Sequence, residues 1–194
     1  ARGIPAIHQL ISEGINVNVT LLFSREVYEQ VVEAYIAGLE KFATRGGNLK
    51  RVASVASFFI SRIDTAIDTL IAARLQAAMT SKEENLLRSL TGKVAIANAR
   101  LTYQRYLELF SGPRWQTLSS RGAQTQRLLW ASTRAKNPNY RDVRYVEELI
   151  GPDTVNTIPL ATFEAFRDHG RPRASLTEDI ESAYDTMEAL AEAG

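Results

Sequence analysis

Four short runs of β-branched and aromatic residues, each followed by a stretch with helical periodicity, leave few folds open to this chain. The runs cover residues 15–22, 52–59, 126–132 and 154–158. A helix is predicted ahead of the first, over residues 5–13, with Ala6, Ile7, Leu10 and Ile11 at helical spacing and Pro5 in the opening turn. Ser24 suits an N-cap for a helix from Arg25, striped by Val27, Val31, Ala34, Tyr35 and Leu39. Gly46-Gly47 ends it. A helical region runs with interruptions from Asp64 to Phe110, with a new start at Ser81 in capping-box spacing with Glu84 and a bend at Gly92. Ser111-Gly112-Pro113 is a stop, and residues 114–124 read as loop. Further helices are expected over 142–150, 162–169 and 175–194, the last capped by Ser175 or Thr177 and faced by Ile180, Tyr184, Met187, Leu190 and Ala191. Strands alternating with helices pair in parallel through right-handed crossovers. Four of them make half of an eight-stranded (β/α) barrel, and an open four-stranded α/β layer fits the same order. No glycine-rich phosphate loop follows any run, which weighs against a Rossmann or P-loop fold.

The first run carries the chemistry most openly. In Gly14-Ile-Asn-Val-Asn-Val-Thr-Leu-Leu-Phe-Ser24, Asn18 and Thr20 fall on one face of a strand and Val17, Val19 and Leu21 on the other. Hydrogen-bonding side chains at the carboxyl end of a strand, just before a helix, are how a (β/α) barrel builds an active site. The pattern repeats: Ser57, Ser61 and Arg62 at the second run, Ser132, Arg134 and Lys136 at the third, Asn156 at the fourth. Arg62 and Arg134 can converge on one anion, since guanidinium forks suit phosphate oxygens. Taken singly, each such residue reads as half-buried filler or a solvated cation; the repetition favours a site.

Composition narrows the classes. The 194 residues suffice for one domain with a core, and 45% hydrophobic with 23% charged content is that of an ordered globular chain. A net charge of +1 leaves no electrostatic footprint for nucleic acid or an anionic membrane. There is no cysteine, hence no disulfide framework or thiol chemistry, and no apolar run long enough to span a bilayer. The opening Ala1-Arg2-Gly3-Ile4-Pro5 has neither an initiator methionine nor a signal-peptide layout. His8 and His169 read as structural or exposed, and no His/Asp/Glu grouping has metal-ligand spacing. The acidic residues, among them Glu26, Glu29, Glu33, Glu147, Glu148, Glu178, Asp179 and Glu181, are expected on solvated helix faces. Tyr103, Tyr106 and Phe110 fall at core spacing.

Taken together, the segments 14–24, Ser57-Phe-Phe-Ile-Ser-Arg62 and Trp130-Ala-Ser-Thr-Arg-Ala-Lys-Asn-Pro138 resemble transaldolase. Thr91-Gly-Lys-Val-Ala-Ile-Ala-Asn-Ala-Arg100 and Thr154-Val-Asn-Thr-Ile-Pro159 are similar to the longer bacterial branch, whose members are sometimes fused to a phosphoglucose isomerase domain. The resemblance runs through essentially the whole chain. It implies an α/β fold, a parallel (β/α) barrel of TIM type, with residues 1–194 as a single partial domain covering about the last four β/α units and extra helices. It also implies a cytoplasmic enzyme of the pentose phosphate pathway that needs no cofactor or metal. Such an enzyme transfers a dihydroxyacetone unit between sugar phosphates of the fructose 6-phosphate and sedoheptulose 7-phosphate class through a lysine Schiff base. By this resemblance Asn18 holds substrate hydroxyls and Thr20 positions the catalytic water. Ser57 and Phe59 line the substrate pocket, Arg62 binds phosphate, and Ser132 with Arg134 or Lys136 forms the second phosphate group. None of Lys41, Lys50, Lys82, Lys93 and Lys136 matches the Schiff-base position, which is expected a few residues before Ala1. The chain is therefore expected to be an internal fragment, inactive alone, and to need the missing N-terminal half or a second copy. The alternative is a non-catalytic phosphosugar-binding or structural half-barrel module. No nucleic-acid or membrane partner is expected.

Overall fold

Helix α1, Ile4–Ser12, opens with proline in its first turn and gives way at Gly14, whose φ of +78° is left-handed. Strand β1, Val17–Leu22, then leads into α2, Arg25–Thr44. Strand β2, Ser54–Phe59, is followed by α3, Ser61–Ala77, α4, Ser81–Leu90, α5, Val94–Leu109, and α6, Pro113–Ser119. The rest is β3, Arg127–Ala131, α7, Arg144–Glu147, β4, Thr154–Asn156, α8, Leu160–His169, and α9, Ile180–Ala193. The computed structural model describes residues 3–77 and 80–194. Ala1 and Arg2 of the opening segment, and residues 78 and 79 of the region expected to be helical, lie outside the described residues.

The strands form one sheet in chain order, β1-β2-β3-β4, with β1 and β2 parallel. Val17 stands opposite Ser54, Asn18 opposite Val55 and Val19 opposite Ala56. This is the order that successive right-handed β/α crossovers lay down. The register then slips, because Leu22 stands opposite Phe58. Three residues of β1 thus match two of β2, which is a β-bulge. Leu21 occupies it with a φ of +64° and is 57% exposed, while Leu22 is buried. The simple alternation that put Leu21 with Val17 and Val19 therefore fails at the bulge.

Packing divides the chain into two compact units, the first of residues 1–58, 102–129 and 153–155, the second of 59–101, 130–152 and 156–194. In the first, α1 packs on α2 at Gly38, where a Cβ would come within 2.8 Å of the Ile11 side chain. Ser24 caps α2 as expected, its hydroxyl accepting from the Val27 amide at 3.3 Å. Ser24→Ala is expected to lower stability by about 1 kcal/mol in urea unfolding. The apolar stripe of α2 is broader than predicted, since Tyr28, Val32 and Ile36 are buried too. Tyr103, Tyr106, Phe110 and Trp115 form a ladder of rings with centroids 5.7, 5.0 and 4.7 Å apart.

That ladder explains one correction. Residues 113–119 are helix rather than loop, with Trp115 and Leu118 buried. Pro113 stops nothing; it sits at the start of α6, where its missing N–H is harmless. Other corrections are smaller. Helix α3 begins at Ser61 rather than Asp64, and the cap of α4 is Thr80, whose hydroxyl accepts from the Glu83 amide at 3.2 Å. Helix α7 spans four residues instead of 142–150. Ser175 does not cap α9; its hydroxyl accepts from the Ile150 amide at 3.0 Å. On α9 the buried residue is Ala183, and Tyr184 and Ala191 are exposed. In the second unit Ile71, Leu87, Leu90 and Val94 form the buried cluster on which Met187 and Leu190 pack.

Candidate active site

Asn18 and Thr20 are both exposed on β1, Asn18 ahead of the bulge and Thr20 within the stretch where the register slips. Ser57, on neighbouring β2, is buried and donates its hydroxyl to Asn18 Oδ1 at 2.7 Å. Because Ser57 occupies Oδ1, the Asn18 carboxamide is fixed and its NH2 is left as the donor. Behind this pair the strands are tied by side chains that carry no chemistry. Ser54 donates to the Val17 carbonyl at 2.7 Å, and Gln126 donates to Ser54 at 2.8 Å. These contacts all lie in the first unit.

The second unit holds the other predicted residues. Phe59 and Arg62 stand together, the guanidinium 4.8 Å from the ring centroid, an orientation that holds the cation over the ring's negative face. Ser132 follows β3 with a φ of +60°, left-handed in a residue that is not glycine. Its carbonyl accepts from the Ser61 amide at 3.0 Å, and its hydroxyl lies 3.0 Å from that of Ser61. Asn156 accepts from Thr133 at 2.7 Å, and Thr133 is fully buried. Arg134 and Lys136 are exposed. Among the described residues, Arg62, Arg134 and Lys136 carry no ion pair, so their charge is available to an anion.

Two residues that the sequence reading passed over hold this segment in place. Asp64 and Asp68 lie one turn apart on α3. Asp64 accepts from the Ala95 amide at 2.8 Å and the Tyr145 hydroxyl at 2.7 Å. Asp68 accepts from the Gly92 amide at 2.8 Å and the Tyr140 hydroxyl at 2.6 Å. Asp64 thus clips α3 to the first turn of α5 and Asp68 clips it to the turn before α5, and both tie it to the chain following Arg134 and Lys136. Gly92 is required there: its φ is +68°, and a Cβ would meet the Tyr140 hydroxyl at 2.5 Å. Lys136, Asn137, Asp68 and Tyr140 line a cavity of about 390 Å³ beside this clasp. Glu147, expected on a solvated face, is buried and accepts from Arg141 and from the Arg171 amide, both at 2.9 Å.

Among the described residues no group of three or more His, Asp or Glu could hold a metal ion, and no helix is long and apolar enough to cross a membrane.

Comparison with known proteins fits this arrangement. The model of the transaldolase/fructose-6-phosphate aldolase family matches residues 1–194. The chain belongs to that family. The parallel sheet in chain order, with its surrounding helices, is accordingly α/β of the TIM-barrel type seen in transaldolases. A transaldolase of Trichodesmium erythraeum is 51% identical over 97% of this chain and 50% of its own length. Transaldolase 2 of Nostoc punctiforme is also 51% identical, over 97% of this chain and 50% of its own. A transaldolase of a Parafrankia species is 48% identical over 99% and 50%. The chain thus spans about half the length of the curated relatives it matches.

Proposed function

We propose that this chain forms one side of a transaldolase active site, as a single partial domain made of the second half of the barrel. In this reading the complete enzyme moves a dihydroxyacetone unit between sugar phosphates such as fructose 6-phosphate and sedoheptulose 7-phosphate, in the pentose phosphate pathway of the cytoplasm. The lysine whose amine condenses with the ketose carbonyl belongs to a segment outside residues 1–194, and the N-terminal half or a second copy of this chain covers the exposed sheet edge. Asn18 donates its NH2 to substrate hydroxyls beside the Schiff base, and Thr20 orients the water through which a carboxyl group exchanges protons with the substrate. Ser57 and Phe59 line the pocket. Arg62 takes the phosphate, joined by Ser132 with Arg134 or Lys136.

The observation that carries this reading is the Ser57–Asn18 hydrogen bond at adjacent strands of a family member. It spends one acceptor to aim one donor, which is useful for substrate recognition and unnecessary for holding two strands already paired. The unpaired charge of Arg62 and Arg134 also favours the alternative of a non-catalytic phosphosugar-binding module. Borohydride reduction with fructose 6-phosphate separates the parts of the proposal. The complete enzyme is expected to be labelled covalently and the 194-residue chain not at all. Labelling of the short chain would place the lysine within it and overturn the assignment. Sugar phosphate that stabilises the complete protein without turnover would leave the binding module instead.

A further inference from the structure

A cationic cavity lies among the helices of the second unit, built by none of the strand-end residues. It measures about 240 Å³ and is lined by Lys93, Arg100, Arg144, Glu148, Ser182 and Thr186 among others. Three cations and the Ser182 hydroxyl face it against one carboxylate, while the Thr186 hydroxyl donates to the Ser182 carbonyl at 2.7 Å. That carboxylate is already engaged: Glu148 accepts from Arg100 Nη2 at 2.7 Å and pairs with Arg173 at 2.8 Å. Asp179 lies 4.0 Å from Arg100 Nη1. Lys93 and Arg144 have no ion pair among the described residues. Arg144 donates to the Gly92 carbonyl and lies 4.6 Å over the Tyr140 ring, and Asp64 feels its charge.

Arg100 supplies the telling detail. It is only 7% exposed, and its Nε, buried, meets no acceptor. A buried charged donor left unpaired is costly, and the guanidinium that bears it is part of the cavity wall, anchored there by Glu148. Lys93 immediately precedes the sixteen-residue α5, and Ile96 and Ala97 of its first turn bring the positive end of the helix dipole to the same wall, where Asp64 already takes the Ala95 amide. The set of donors, guanidinium, ammonium and hydroxyl, suits the three terminal oxygens of a phosphate better than the two of a carboxylate.

We propose that this cavity binds a phosphate group, free or carried on a small metabolite, through Lys93, Arg100 and Arg144. The site is independent of the proposed sugar-phosphate chemistry, so its test uses the complete R62A/R134A/K136A protein, in which the strand-end cations are gone. Inorganic phosphate, titrated by calorimetry, is expected to bind at a single saturable site with a dissociation constant of about 1 mM. Lys93→Glu, at an exposed position, is expected to weaken binding about tenfold or more with the fold intact by circular dichroism. Arg100→Gln is expected to abolish binding, but it also strips Glu148 of one of its two partners, so Lys93→Glu decides. No saturable binding up to about 20 mM, or binding that Lys93→Glu leaves unchanged, overturns the proposal. Glycerol 1-phosphate binding more tightly than inorganic phosphate would mark a metabolite as the ligand; the reverse order would mark the free ion. Either order sustains the site.

Discussion

Alanine at Asp64 is expected to lower the unfolding free energy by about 4 kcal/mol, because it orphans two buried donors at once. The Ala95 amide and the Tyr145 hydroxyl both end on this carboxylate, and the residue is 1% exposed. Tyr145→Phe, which removes one bond and leaves the carboxylate its amide partner, is expected to cost about 1–2 kcal/mol. The same site gives a pH dependence of definite sign. Burial raises the Asp64 carboxyl above its ordinary value, outweighing the hydrogen bonds from Ala95 and Tyr145. The folded protein therefore holds this proton more tightly than the unfolded chain does. Its contribution is largest below the unfolded carboxylate value, declines as pH rises through the raised folded value, and is flat beyond. Urea unfolding at a series of pH values is expected to show that decline, and Asp64→Asn to remove it. A decline that persists in Asp64→Asn would assign it to another group.

Thr20→Val in the complete enzyme is expected to reduce kcat by about 100-fold with KM within a few-fold of the parent. Valine keeps the branched shape that suits β1 and deletes only the hydroxyl, so a folding defect is not anticipated. Arg62→Ala should divide the other way, raising KM for fructose 6-phosphate about 100-fold with a smaller effect on kcat, because phosphate binding is shared by ground state and transition state. Steady-state kinetics on both variants check the pair. If Thr20→Val raised KM and spared kcat, Thr20 would be a binding residue and the water would be held elsewhere.

What could be read in advance depended on how far apart the interacting residues are. Ser24 and its Val27 partner are three residues apart, and a local rule finds them. The order of strands and helices is local too. The Ser57–Asn18 pair spans 39 residues, yet it was within reach because both sit at predicted strand ends. Asp64 and Asp68 were missed because their tyrosine partners lie 81 and 72 residues away, and an acidic pair on a helix otherwise looks solvated. Glu147 was misread for the same reason, since the Arg171 amide that it accepts from is 24 residues on. Pro113 misled through a rule that has two sides: a residue that cannot continue a helix is well suited to open one. Leu21 and Ser132 have left-handed backbones that favour glycine, and nothing in either side chain announces them. Such conformations persist only where their surroundings enforce them.

The bulge at Leu21 has a consequence for anyone who would rebuild this strand. Inward and outward positions cannot be counted along β1 in steps of two from one end to the other. Counting holds backward from Val19 and forward from Leu22, and the parity changes between them. A pocket graft designed on a regular template would turn Leu22 out of the core and bring Leu21 in. Deleting one residue here would shorten the strand only slightly, but it would move the start of α2 by a residue relative to Asn18 and Thr20. The spacing between those side chains and the helix that follows is therefore set by an extra residue of backbone, whatever side chain that residue bears.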